Sequence, residues 1–345
     1  MKLLSLFSGI GAFEKALTLN SMDYELVNYC EIDKYAAKAY SVIHNVSEDL
    51  NLKDVTKIDT SKLKDIGLIT YGFPCVDISR AGKQKGFVDD DGNVTRSGLF
   101  FEALRIIIDT QPKVAIAENV KALTTKKFAD EFGIVLHGLD NAGYNNYWAV
   151  LNAKDYGIPQ NRERVFIISI RKDIDNGSFS FPMPITLDKR LKDVLEKDVD
   201  EKFYLKDTMP FFIKNSLDME EKGNGFRFAP HVKDHANIAK TITTRAGGRM
   251  DDNFIMEAPS LDCDTFTFNK ENVAKIDECA HEFRIRKLTP LECWRLMGFE
   301  DTDFWKVKNS GISNSQLYKM AGNSIVVNVL RAIFRELLKV EIRNK

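Results

Sequence analysis

The sequence predicts an α/β protein: a doubly wound, mostly parallel sheet joined to a second, smaller, loop-rich region. Three observations carry this expectation. Short apolar runs alternate with segments of helical spacing through the first half. A glycine-rich turn stands between the first such run and the first helix. From about residue 181 the alternation gives way to prolines, charge and scattered glycines.

Taken in order, residues 3–7 read as a buried first strand, 8–12 as the glycine turn and 13–19 as a helix. Residues 24–30 make a second strand and 33–43 a second helix. Residues 66–71 and 113–117 are the third and fourth strands, with a helix over 99–109 whose apolar positions are Leu99, Ala103, Leu104, Ile106 and Ile107. Residues 148–151 and 164–170 close the pattern. Such alternation indicates βαβ units and a sheet covered on both faces. Helical signals return from about residue 288. The final helix, 325–340, carries Ile325, Val329, Leu330, Ile333, Phe334 and Leu337 on one face, suited to docking on the sheet. The organisation expected is therefore 1–180 as the ligand-binding core, 181–283 as the loop-rich domain, and 284–345 as a hinge and return to the core.

The chain has 345 residues, 44% hydrophobic, enough for two domains with sizeable cores. Formal net charge is -1, so an anionic partner must be met by a local basic surface. The five cysteines, Cys30, Cys75, Cys263, Cys279 and Cys293, form no CxxC pair. Neither a disulfide framework nor a metal site is expected, and a reducing, cytoplasmic setting fits. The amino end mimics a signal peptide, but its apolar run is too short and Glu14 follows soon after. No stretch reaches the ~18 apolar residues of a membrane span.

Two places carry chemistry. At the first, Gly9 and Gly11 bring backbone close to a ligand, and Glu31 ends the second strand, where a carboxylate binds ribose hydroxyls. The glycine pattern is incomplete for a dinucleotide, since Ala12 and Glu14 follow. A plain strand–helix turn is the competing explanation. Asp54, after a further short segment, reaches an adenine amino group or is simply a solvated carboxylate. At the second place, Gly72-Phe73-Pro74-Cys75 follows the third strand, and Glu118-Asn119 follows the fourth. Residues just beyond strand carboxyl ends face the ligand crevice. The competing explanations are a buried structural cysteine and a helix-capping acid. The polar, basic stretch 79–86 has the composition of a loop that closes over an anion.

These residues resemble a known family. The blocks FSGIGAFEKAL (7–17), Glu31, Asp54, GFPC (72–75) with SRAGKQKGF (79–87), RSGLFFEALRI (96–106), ENV (118–120), QNRERVF (160–166), RKLTPLECWRLMGF (286–299) and AGNSIVVNVL (321–330) are similar, in this order, to those of bacterial and phage cytosine-5 DNA methyltransferases of the type II restriction-modification kind. The resemblance implies the S-adenosylmethionine-dependent methyltransferase fold with a target-recognition domain at 181–283. It implies that Phe7, Gly9, Gly11, Phe13, Glu31, Ile32, Asp54, Pro74, Leu99 and Asn323 surround S-adenosylmethionine. Cys75 is then the nucleophile, Glu118 the residue at cytosine N3, Asn119 its orienting neighbour, and Arg162 and Arg164 the holders of the flipped nucleotide. Ser79, Arg80, Lys83, Lys85 and Arg96 would face DNA on one side. Thr243, Arg245, Gly247, Gly248 and Arg249 would face it on the other, with Arg227 and Lys233 lining the same basic cleft. Val76, Ala12 and Ile32 depart from many relatives, which bears on cofactor packing rather than on the reaction.

The expected function is DNA (cytosine-5) methylation with base flipping. The partners expected are double-stranded DNA and, in the restriction-modification setting, a cognate endonuclease; the chain is expected to be a monomer away from membranes. The nearest rival is a tRNA cytosine-5 methyltransferase, which shares the catalytic blocks. A non-catalytic DNA-binding relative would have lost Cys75 or Glu118. A nicotinamide oxidoreductase is disfavoured by the incomplete glycine motif.

Overall fold

The computed structural model describes residues 1–74, 87, 95, 97–206, 208–223, 227–258, 261–273 and 283–340. Cys75, Ser79, Arg80, Lys83, Lys85 and Arg96 lie outside the described residues. The chain divides into two compact units. One comprises 1–152, 163–184 and 325–345, and the other 153–162 and 185–324.

The first unit is built from β1 (Lys2–Leu6), α1 (Ala12–Leu19), β2 (Glu25–Cys30), α2 (Lys34–His44), β3 (Leu68–Tyr71), α3 (Phe100–Thr110), β4 (Val114–Val120), α4 (Ala129–Asn141) and β5 (Tyr144–Asn152). After the short β6 (Gln160–Asn161), which belongs to the other unit, comes β7 (Glu163–Arg171). Strand order is β2-β1-β3-β4-β7-β5, with β7 antiparallel to both neighbours and the other described pairings parallel. The sheet is thus mixed α/β and mostly parallel, as expected. Its central strands are apolar because both faces are covered: Leu3, Leu4, Ile69, Ala115 and Ile116 are fully buried.

Register decides where the chemistry lies. Leu6 is level with Cys30 on β2 and with Tyr71 on β3, and Tyr71 is level with Ala117 on β4. Residues 7–11, 31–33, 72–74 and 118–119 therefore meet along one edge, where the order reverses about β1. One boundary differs from expectation. Glu118 and Asn119 lie within β4, paired with Phe166 and Val165 of β7, rather than beyond its end. The antiparallel neighbour supplies hydrogen bonds that a parallel sheet would have lacked there.

The sequence pattern did not single out α4, which covers the sheet with Val135 and Leu139 buried. In the other unit come α5 (Thr208–Glu221), β8 (His231–Val232), β9 (Ala239–Lys240), β10 (Phe254–Glu257), β11 (Arg284–Lys287), α6 (Pro290–Arg295), α7 (Asp301–Asn309) and α8 (Asn314–Asn323). The final helix, α9 (Val327–Lys339), returns to the first unit and packs on α1, with Phe334 edge-on to Phe13 at 6.5 Å. The second unit has its own core of Phe228, Val232, Phe254, Met256, Phe268 and Ile285 around the sheet β11-β10-β8.

The 286–299 block is scaffold for that unit. Arg286 and Glu292 are both fully buried and form a two-pronged ion pair at 2.9 Å. Glu292 also accepts from the backbone N–H of Thr289 and Glu196, so neither charge is left uncompensated. Among the described residues no helix is long and apolar enough to cross a membrane.

Candidate active site

The turn after β1 leaves open space at Gly9. Gly9 has φ +55°, and a Cβ there would meet nothing within 4 Å. Its N–H donates to Glu31 Oε2 at 2.8 Å, while the N–H of Asp33 donates to Glu31 Oε1 at 2.8 Å. Burial pushes the Glu31 carboxyl up, against these backbone hydrogen bonds, which pull it down. Each carboxylate oxygen keeps further acceptor capacity for hydroxyl groups. Beside it, Ile32 is 77% exposed, an apolar side chain bare enough to cover a flat heterocycle. Asp54 caps a short 3-10 turn through the N–H and hydroxyl of Thr56, which hold its carboxyl below the usual range. Phe7 is half-buried with φ 51°, and Leu99, the N-cap of α3, packs partly buried against the core.

Asn51 was missed by the sequence pattern. Its side chain accepts from Glu31 N and donates to Glu31 O, both at 3.0 Å, fixing the backbone that carries the carboxylate. Cys30 is buried, and burial pushes its thiol up to about 12, so it is structural.

Two cofactor expectations need correction. Gly11 does not open space for a ligand. Its φ is +79°, and a Cβ would lie 2.0 Å from Nε2 of His44, so its glycine is required by internal packing. Phe13 is 4% exposed in the α1–α9 contact and has no surface to offer a ligand.

The second cluster stands at the β3 and β4 ends. Glu118 Oε1 and Nε of Arg164 form an ion pair at 3.1 Å, and both side chains are largely covered. Arg164 lies on β7, level with Val120, and also donates to Glu163 O. A Cβ on Gly72 would sit 3.7 Å from Glu118 Oε2, so this carboxylate overhangs the turn that leads to Cys75. Asn119, buried, donates its amide to Phe73 O at 3.1 Å and accepts from Val120 N. It thereby ties the Gly72–Pro74 backbone to β4. Phe73 packs among Tyr71, Phe87 and Phe100 at ring distances of 5.5–6.3 Å.

Arg162 was expected to hold a nucleotide. It is 3% exposed, and its Nη atoms donate to Ile242 O, Gly322 O and Ser324 O at 2.7–2.9 Å. It joins backbone within the second unit instead. In that unit Asn323 is exposed at the end of α8, as are Arg245 and Arg249, while Lys233 pairs with Glu257 at 3.0 Å. Among the described residues no group of three His, Cys, Asp or Glu is arranged to hold a metal.

Removal of the Glu31 carboxylate tests the first cluster. Glu31→Ala is expected to weaken S-adenosylhomocysteine binding at least ~10-fold, the scale of losing a charged hydrogen bond. An unchanged dissociation constant by titration calorimetry removes Glu31 from the ligand site.

The chain is similar to known proteins along its length. The family model for C-5 cytosine-specific DNA methylase matches residues 1–339. The orphan methyltransferase M.SPRI of Bacillus phage SPR is 35% identical, covering 100% of this chain and 99% of its own. The type II methyltransferase M2.ScrFI of Lactococcus lactis subsp. cremoris is 39% identical over 84% of this chain and 71% of its own. The crystal structure of S. pombe Dnmt2 methyltransferase shares the fold, with a TM-score of 0.74 at 21% identity and 98% of each chain covered. This chain belongs to the family of C-5 cytosine-specific DNA methylases.

Proposed function

We propose that this chain rotates a cytosine out of duplex DNA at one short sequence, bonds Cys75 to its carbon 6, and methylates its carbon 5. The observation that supports this most is the Glu118–Arg164 pair over Gly72, three residues before Cys75. The Glu118 carboxylate stands 3.7 Å from a Cβ built on Gly72, beside the turn from which the chain continues to Cys75.

Carbon 5 of cytosine is a poor nucleophile. Attack by the Cys75 thiolate on carbon 6 turns carbon 5 into an enamine-like centre. Sulfur suits the step because it is strongly nucleophilic and leaves easily. Negative charge builds toward N3 as the bond forms. Glu118, sharing a proton with N3, drains that charge, and Arg164 holds the carboxylate in place. Asn119 keeps the Phe73 carbonyl, and with it the approach to Cys75, against β4. Loss of the carbon 5 proton and departure of the sulfur restore the ring. The cytosine must leave the stack for this, at a cost of a few kcal/mol.

S-adenosylmethionine is the donor the family implies, supplying a methyl group on a cationic sulfur when bound. The residues present fit it: Gly9 offers an open backbone face, Glu31 a fixed carboxylate and Ile32 a bare apolar surface. Phe7, Asp54, Pro74, Leu99 and Asn323 are the further contacts we assign to it.

The region 181–283 is proposed as the target reader, with Thr243, Arg245, Gly247, Gly248 and Arg249 at its contact loop, and 284–345 as the hinge and return. Ser79, Arg80, Lys83, Lys85 and Arg96 are assigned to the opposite side of the duplex. Arginine is the commonest reader of guanine in the major groove. Arg245→Ala and Arg249→Ala are each expected to lower affinity for the target, with a ~1–3 kcal/mol loss of discrimination at a guanine. If both variants retain wild-type preference and affinity, the reading loop lies elsewhere. A type II setting, with an endonuclease cutting the same site, is the arrangement the Lactococcus relative's name supports. A monomer acting in a bacterial cytoplasm completes the proposal.

The deciding experiment is expression in a host without cytosine methylation, followed by bisulfite sequencing of its DNA. Modified cytosines should occur at one short motif. Labelled methyl entering tRNA but not DNA would overturn the DNA assignment.

A further inference from the structure

We propose that Arg162 and Asp252 are positioning residues for target reading, two buried charges that lock the main chain of residues 242–252 so that Arg245 is presented to DNA in one geometry. The assignment rests on the proposed function and concerns target reading rather than the chemical step.

The first end of the segment is held from β6 and the residue after it. Ile242 has both main-chain groups taken by side chains. Its N–H donates to Gln160 Oε1 at 2.9 Å, and its carbonyl accepts Arg162 Nη1 at 2.9 Å. Thr241 reaches Asn161 O at 2.7 Å. Arg162 Nη2 continues to Gly322 O and Ser324 O, at 2.9 and 2.7 Å. Gly322 itself lies flat on the segment: a Cβ there would be 2.4 Å from Thr244 N and 2.5 Å from the Thr243 carbonyl carbon. One guanidinium thus joins the start of the loop to the end of α8.

The other end is closed by Asp252, which is 6% exposed. Its Oδ1 accepts the Thr243 hydroxyl at 3.1 Å, and its Oδ2 accepts the N–H groups of Gly248 and Arg249 at 3.0 Å each. No described cation forms an ion pair with it. Asn253 adds a pair of contacts to Lys240, accepting from its N–H at 2.8 Å and donating to its carbonyl at 3.0 Å. The main chain between Ile242 and Asp252 is therefore tied at both ends. The Arg245 side chain is exposed, with no ion pair among the described residues, and Arg249 pairs there with Asp251 at 3.7 Å.

Burying an arginine and an aspartate against backbone dipoles is a costly way to stabilise a domain, since apolar residues of like volume do it as well or better. What such groups add is direction: each accepts or donates along several fixed lines at once. A loop ordered before binding loses less freedom on meeting DNA, so wrong sequences cannot be accommodated by bending it.

The test uses the full chain, unmethylated plasmid DNA and S-adenosylmethionine, with methylated positions mapped by bisulfite sequencing. The quantity read is the ratio of methylation at the mapped motif to methylation at sites differing by one base pair. Asp252→Ala is expected to lower that ratio at least tenfold and to raise KM for plasmid, with S-adenosylhomocysteine affinity as in the wild type. Asp252→Asn is expected to recover most of the ratio. Its carbonyl oxygen still accepts both N–H groups and its amide donates to the Thr243 hydroxyl, so geometry survives without charge. Arg162→Lys, which keeps the charge but loses the planar fork, is expected to lower the ratio in the same direction. If Asp252→Ala does not fold, Arg162→Lys decides. Wild-type methylation with an unchanged ratio in the variants that fold overturns this assignment alone. A wild-type protein that methylates no DNA overturns the proposed function, and the assignment with it.

Discussion

Cys75→Ser is expected to abolish methyl transfer, by ~10⁴-fold or more, the scale on which loss of a catalytic nucleophile acts. A thiol has a reference pKa of about 8.5, so neighbouring positive charge can generate the thiolate near neutral pH. A serine hydroxyl offers no comparable anion and departs poorly from carbon 6. The residues that would hold the methyl donor, Gly9, Glu31 and Ile32, lie at the β1 and β2 ends and do not depend on the sulfur. Affinity for S-adenosylhomocysteine should therefore be retained in the variant. Incorporation of labelled methyl into duplex DNA measures the first quantity and calorimetry the second. Wild-type turnover in Cys75→Ser would remove this residue from the mechanism. A duplex carrying 5-fluorocytosine adds a second reading. Fluorine cannot leave carbon 5 as a proton does, so the wild type should stay covalently attached to it and the serine variant should not.

Glu118→Gln is expected to slow single-turnover methyl transfer by ~10²–10⁴-fold, the usual worth of a positioned acid–base group. The amide keeps nearly the same volume, so the β4–β7 pairing of Glu118 with Phe166 is preserved. What it loses is the exchangeable proton at N3 and the charge that orients Arg164 at 3.1 Å. The effect belongs on the chemical step rather than on DNA binding, which separates it from the loop variants. An unchanged single-turnover rate would mean that charge on the ring is relieved by another group.

The loop variants and the two catalytic variants probe different parts of the chain, and the legibility of those parts in the sequence differs. Local order drew attention to Cys75 and Glu118, because each stands within a few residues of a short apolar run, and the family resemblance implied their roles. In a parallel sheet the carboxyl end of such a strand faces the ligand. Glu31 stood out the same way, and it accepts hydrogen bonds from Gly9 and Asp33 at one sheet edge. The main-chain partners of Arg162 were not legible because they lie 80, 160 and 162 residues away along the chain. Nothing near it in sequence says that its guanidinium will be buried. Phe13 was misread for a similar reason, since the ring that covers it belongs to α9, at the other end of the chain. Asn51 and Asp252 gave no signal at all, being single polar residues in loops.

By itself the sequence determined the alternation that makes the mostly parallel sheet, the position of Glu31 just beyond β2, and the family to which these blocks belong. These follow from hydrophobic period and from residues adjacent in the chain, which act over a few ångströms of backbone. Only the tertiary structure decided that β7 runs antiparallel and draws Glu118 into a strand, that the His44 ring lies against Gly11, and that the buried side chains of Arg162 and Asp252 hydrogen-bond main-chain groups of residues 242–249. Those outcomes depend on which distant segments pack together, and burial turns a surface charge into a structural one only when the chain has closed around it.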